Sequence, residues 1–113
     1  MVLEIPAGKI DPGEGQYPER TAMRELEEET GYHTENLTYI NEMYLSPGFS
    51  NEKLYIYAAT NLVKVENPRP QDDDEVLELY ELTMEEAKQA IQDGLICDAK
   101  TNFCCQLLGT NEI

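Results

Sequence analysis

Five charged residues stand almost side by side at Arg24, Glu25, Glu27, Glu28 and Glu29. Four carboxylates within five residues repel one another, and like charges at helical spacing cost a few tenths of a kcal/mol per pair. They also fall toward the end of a predicted helix, where the backbone dipole disfavours negative charge. Such a cluster is either a solvated face or a cation site, and the spacing favours the second. Glu25 and Glu29 are four apart and Glu28 is three from Glu25, which puts all three on one side of a helix. Hard oxygen ligands from one face suit Mg²⁺ or Mn²⁺, ions that keep waters and also bind substrate phosphates. Arg24 supplies the counter-charge that so dense a cluster requires.

The elements that must position these groups are legible in the flanking residues. Val2–Ile5 reads as a short strand entering Pro6-Ala7-Gly8, where a backbone carbonyl is free to face a metal. Lys9–Tyr17 reads as a loop, with Asp11-Pro12-Gly13 as its turn signal. The helix is predicted to begin near Pro18 and to stop at Gly31, in the left-handed position after its last turn. Its apolar members Ala22, Met23 and Leu26 are placed to pack on a sheet. Leu37–Leu45 and Leu54–Leu62 read as strands; in the second, Leu54, Ile56 and Ala58 alternate with Tyr55 and Tyr57. Ser46–Ser50 is a turn or loop between them. A polar stretch, residues 63–74, leads into the acidic run Asp72-Asp73-Asp74-Glu75. Val76–Leu82 reads as another strand. Thr83 and Glu86 form a capping box for a helix closed by Gly94. Asp98 caps a last helix to Leu108, with Ala99, Phe103 and Leu107 as its apolar stripe.

The chain has 113 residues, and its size predicts a single domain, residues 1–113, with a modest core. A net charge of −15 argues against a nucleic-acid backbone or an anionic membrane surface as partner. No apolar run approaches transmembrane length, and no basic-then-apolar signal pattern opens the chain. Cys97, Cys104 and Cys105 have no metal-ligand spacing and read as reduced thiols of a cytoplasmic protein. His33 reads as a surface residue.

The stretch from Gly8 to Tyr32 resembles the Nudix box, G-x5-E-x7-R-E-U-x-E-E-x-G-U with U a bulky apolar residue. Gly8 and Glu14 fit its first half, and Arg24 through Tyr32 fit its second. Nine residues separate Glu14 from Arg24 where the pattern has seven, and the extra pair falls in a loop rich in glycine and proline. The resemblance implies an α/β fold of the α+β type, a mixed sheet packed between helices, and hydrolysis of a diphosphate joined to another moiety. It implies Glu25, Glu28 and Glu29 as side-chain ligands of Mg²⁺ (or Mn²⁺), Ala7 as a carbonyl ligand, and Gly8, Glu14, Arg24 and Gly31 as the structural residues of the box.

Further residues resemble the ADP-ribose pyrophosphatase branch. Pro47 lies sixteen residues after Gly31, as in that branch. The SPGF-x-x-E stretch implies substrate contacts at Pro47 and Gly48, with Glu52 on the terminal ribose. Asp73 or Glu75, in the late acidic loop, would match the general base. Asp98–Thr101, DAKT, resembles the C-terminal part of the bacterial enzymes. The branch implies a nucleoside diphosphate sugar as substrate, AMP and ribose 5-phosphate as the products from ADP-ribose, and a homodimer. This chain begins one strand before the box, so the family's preceding strands and N-terminal region are expected to be missing. The competing reading is a catalytically silent domain that binds nucleotide or cation, or serves as an interaction module.

Overall fold

The computed structural model describes residues 2–10, 17–49, 52–66 and 78–109. Their elements, in chain order, are α1 (Pro18–Thr30), β1 (Tyr32–His33), β2 (Asn36–Tyr44), β3 (Lys53–Thr60), β4 (Val63–Lys64), α2 (Met84–Gln92) and α3 (Ala99–Gly109). Two compact units are formed, one of Ala7–Leu77 and one of Met1–Pro6 with Glu78–Ile113. The α/β class is as expected, and every strand pair among the described residues is antiparallel.

In the first unit, α1 begins with Pro18 in its first turn, where the missing N–H leaves nothing unsatisfied. It ends at Gly31, whose φ of 76° is open to glycine without strain and whose N–H donates to the Glu27 carbonyl at 2.8 Å. The chain then enters β1, which pairs with β4, while β2 pairs with β3. Ile56 of β3 is 7% exposed and anchors the core of this unit, a burial that contributes roughly 1.5–3 kcal/mol. Thr34 is almost completely buried; its hydroxyl donates to the Thr60 carbonyl and accepts from the Asn36 N–H. It thereby ties the start of β2 to the end of β3.

A register shift between Tyr39 and Asn41 marks a bulge in β2. The extra residue changes which side chains share a face. Tyr39 therefore meets Glu42, its hydroxyl donating to Oε1 at 2.9 Å. Opposite them, Tyr57 packs edge-on to Tyr39 with ring centroids 6.0 Å apart. Lys53 Nζ lies 3.1 Å from Glu42 Oε2 and over the rings of Tyr44 and Tyr55.

In the second unit, the capping box forms as the sequence predicts. Glu86 N–H donates to Thr83 Oγ1 at 3.2 Å and Thr83 N–H to Glu86 Oε1 at 2.9 Å. Ala87, Ala90 and Ile96 make the buried apolar core, and α2 packs on α3.

Three expectations are corrected here. Val2–Ile5 forms no strand among the described residues, although Leu3 and Ile5 are half-buried and their neighbours exposed. The N–H groups that a ladder would need go instead to the Leu95 carbonyl (Leu3, 2.7 Å) and to Thr101 Oγ1 (Ile5, 3.2 Å). The alternation was thus real, but the acceptors belong to a loop and a helix. The expected strand Val76–Leu82 lies partly outside the described residues, and its described part, residues 78–82, is irregular. In α3 the stripe is displaced: Ala99 and Phe103 are exposed and Thr101 is the buried member. Its hydroxyl is drawn inward by the Ile5 N–H, a partner that helical periodicity cannot reveal.

Candidate functional site

Arg24 organises the carboxylate cluster. Its Nη1 donates to Glu25 Oε1 at 2.9 Å and to Glu28 Oε2 at 3.1 Å. Its Nη2 donates to the Lys9 carbonyl at 3.2 Å, which fastens the loop after Gly8 to the helix. The three side chains are only 15–17% exposed, so these charge-assisted bonds are screened less than a surface pair would be. Glu29 engages the backbone: its Oε2 accepts the Ala7 N–H at 2.8 Å. The helix thus holds the Ala7–Lys9 backbone at two points, through Glu29 and through Arg24.

Gly8 lies between those points. A Cβ there would stand 1.9 Å from Cδ of Glu25 and 2.1 Å from its Oε1. Only glycine lets the Glu25 carboxylate lie this close to the backbone. The sequence had marked Gly8 as a member of a pattern; the structure supplies the steric reason.

The geometry brings together Ala7, Gly8, Arg24, Glu25, Glu28 and Glu29. The donor set of three carboxylates and adjacent backbone has the hard oxygen chemistry of a Mg²⁺-class ion. Among the described residues, no group of three or more carboxylate, imidazole or thiolate side chains is arranged to hold a metal ion; Arg24 engages Glu25 and Glu28, and the Ala7 N–H engages Glu29. Glu14, Asp73 and Glu75 lie outside the described residues.

Pro47 and Gly48 lie in a turn that follows β2, closed by the Phe49 N–H donating to the Ser46 carbonyl at 2.9 Å. The pairing of Tyr44 with Lys53 closes the hairpin around this turn, and Glu52 immediately precedes that pair. Glu52 is exposed.

Sequence reasoning missed the Tyr39–Glu42–Lys53 network. Hydrogen bonds from Lys53 and Tyr39 hold the Glu42 carboxyl below its ordinary range, while the bond to Glu42 pushes the Tyr39 hydroxyl up. The bulge that assembles it has no local signature. Burial pushes the Cys104 and Cys105 thiols up from their ordinary value. No helix among the described residues is long and apolar enough to cross a membrane.

The NUDIX domain family matches residues 2–99. A carboxylate helix that starts after a glycine-bearing loop and ends at a left-handed glycine is the constellation its box describes, and the chain belongs to this family. Hydrolases of the family generally use divalent metal ions. Among individual proteins, the chain is 44% identical to the ADP-ribose pyrophosphatase of Bacillus subtilis (strain 168) over 111 residues, which is 98% of this chain and 59% of that protein. It is 45% identical to the methanol dehydrogenase activator of Bacillus methanolicus, with the same two coverages. It is 38% identical to the GDP-mannose pyrophosphatase of Yersinia pestis (strain Pestoides F) over 114 residues, 94% of this chain and 52% of that protein. The chain therefore spans between about half and three-fifths of the length of these relatives.

Proposed function

We propose that this chain carries the catalytic apparatus of a nucleoside diphosphate sugar pyrophosphatase, with ADP-ribose as the first substrate to try. Water attacks one phosphorus of the diphosphate, the bridging P–O bond breaks, and the products are AMP and ribose 5-phosphate. The observation that carries the reading is the packing of Glu25 and Glu29 against the Ala7–Gly8 backbone, with Gly8 making room for Glu25 and Arg24 tying Glu28 to Glu25. Relatives named ADP-ribose pyrophosphatase and GDP-mannose pyrophosphatase support it.

Glu25, Glu28 and Glu29, with the Ala7 carbonyl, are the residues that would hold Mg²⁺, or Mn²⁺ in its place. The chemistry a divalent cation supplies when bound there is neutralisation of phosphate charge and a lowered pKa for the attacking water. Arg24 sets the carboxylates in register, and Glu14 orients the loop. Asp73 or Glu75 takes the proton of the water. Glu52 accepts hydroxyl hydrogen bonds from the sugar, beside the Pro47-Gly48 turn. The protein acts in the cytoplasm as a homodimer.

The test is turnover of ADP-ribose with Mg²⁺ and with chelator, read through a phosphatase that releases inorganic phosphate from AMP and ribose 5-phosphate. Metal-dependent turnover is expected. Glu28→Gln is expected to reduce it at least about 100-fold, more than the loss of an outer-shell partner brings, with the fold unchanged by circular dichroism. Full activity in folded Glu28→Gln overturns the assignment.

A second reading has one observation in its favour. A relative of equal similarity is named for activating another enzyme. On this reading the domain works by engaging a partner enzyme, and it binds nucleotide and cation without needing to cleave. A folded wild-type chain that titrates both but releases no phosphate selects it.

A further inference from the structure

The register of β2 against β3 sorts their side chains by face. Tyr39 pairs with Tyr57, Glu42 with Tyr55 and Tyr44 with Lys53, and residues two apart along a strand point the same way. The extra residue of the bulge between Tyr39 and Asn41 carries Glu42 and Tyr44 to the side of Tyr39. The contacts agree: the Tyr39 hydroxyl meets Glu42, its ring meets Tyr57, and Lys53 meets Glu42 and lies over Tyr44 and Tyr55. These side chains share one face of the hairpin, and four of them are tyrosines, out of 7 in the chain. The opposite face, where Asn41 pairs with Ile56 and Met43 with Leu54, carries the buried Ile56.

Tyr39 is 51% and Tyr44 53% exposed, and the Glu42 and Lys53 side chains are 40% and 35% exposed. Tyrosine joins a large apolar ring to a polar tip and is enriched where two protein surfaces meet. Charge says which surface meets this one. The chain carries a net −15, so two copies repel over most of their surfaces. On this face the one cation, Lys53, cancels the one anion, Glu42. A basic partner would find its complement in carboxylates elsewhere; a second copy can come close where the excess charge is absent. The face is also complementary to itself. A phenol both donates and accepts hydrogen bonds. Lys53 and Glu42 stand on different strands, so a twofold axis in the plane of contact, midway between them, sets Lys53 of one copy against Glu42 of the other and the reverse.

We infer that the face formed by Tyr39, Glu42 and Tyr44 with Lys53, Tyr55 and Tyr57 is the surface on which two copies of this chain associate. The inference rests on the homodimer of the reading above and gives it a surface; it asks nothing of the cleavage chemistry. A contact centred on so few side chains belongs to the small end of protein interfaces, with a dissociation constant of roughly micromolar order.

The experiment is sedimentation equilibrium from about 5 µM to about 500 µM, a range that brackets such a constant. The proteins are the wild-type chain, Lys53→Glu, Glu42→Lys, an equimolar mixture of these two variants, and Tyr44→Ser. All three positions are exposed, and circular dichroism verifies that each variant is folded. The wild-type chain is expected to dimerise. Lys53→Glu and Glu42→Lys each set like charges against one another across the twofold axis and are expected to weaken association at least about tenfold. In the mixture opposite charges face each other again, and a heterodimer within about threefold of wild-type affinity is expected. Tyr44→Ser, which changes no charge, is expected to weaken association about fivefold. A wild-type chain that stays monomeric overturns the homodimer together with this inference and leaves the face to a different protein. A wild-type dimer indifferent to all three substitutions overturns only the assignment of the surface. Weakened variants whose mixture does not recover overturn the twofold pairing of Lys53 with Glu42.

Discussion

Replacing Gly8 with alanine separates the local chemistry of the carboxylate helix from its folding. The new methyl group would lie 1.9 Å from Glu25 Cδ, 2.1 Å from Oε1 and 2.5 Å from Cγ. Ordinary contact begins near 3.4 Å, so the carboxylate must retreat by about 1.5 Å, the difference of the two distances. All the obstructing atoms belong to one flexible side chain, and Gly8 itself is exposed. Glu25 can swing away with little loss to the fold, and the expected change in unfolding free energy is below about 1 kcal/mol. The consequence for a cation is far larger. Metal–ligand distances tolerate only about 0.2 Å, so a carboxylate displaced by several times that margin no longer contributes to the site. Isothermal titration with Mg²⁺ or Mn²⁺ is expected to show affinity reduced at least about tenfold. The effect should match that of Glu25→Gln, and the double variant should be no worse than either single one, since both remove the same ligand. An unchanged cation affinity in Gly8→Ala would refute the steric argument. Additive losses in the double variant would refute the link from Gly8 to Glu25.

Two further outcomes follow from the second unit. Thr101 is 2% exposed and its Oγ1 accepts the Ile5 N–H, so Thr101→Val is expected to lower stability by roughly 1–2 kcal/mol in urea unfolding, and Thr101→Ser to restore most of it. Asp98 Oδ1 accepts from the Thr101 N–H at 3.2 Å and from Lys100 Nζ at 3.1 Å. Burial pushes this carboxyl up, but the hydrogen bonds from Thr101 and Lys100 outweigh it and the net shift is downward from 3.8. A depressed folded pKa stabilises above the unfolded value and stops doing so as pH falls through the folded one. The stability difference between wild type and Asp98→Asn, followed by urea unfolding from neutral pH downward, should therefore hold above pH 3.8 and shrink below it. A difference independent of pH would show that the Asp98 charge takes no part.

What the amino-acid sequence determined by itself was whatever depends on near neighbours. The bounds of α1 follow from Pro18 and Gly31, because a proline and a left-handed glycine act on their own turns. The capping box at Thr83 and Glu86 closes over three residues and was legible for the same reason. The two hairpin strands showed their period in Tyr55, Ile56 and Tyr57. The carboxylates of the box were legible because their spacing is helical, and helical spacing needs no partner. The tertiary structure decided what depends on groups distant in the chain. The alternation at Val2–Ile5 described burial correctly, but whether it became a ladder depended on Leu95 and Thr101. Thr101 itself is buried by a bond to Ile5, ninety-six residues away in sequence, and helical periodicity misplaced the stripe of α3 accordingly. The division of the carboxylates, two on Arg24 and one on the Ala7 N–H, follows from where the loop returns to the helix. Gly8 is glycine because Glu25 occupies the space its side chain would take. Local torsional preference is written residue by residue, whereas occupied space and satisfied hydrogen bonds belong to pairs that the fold alone brings together.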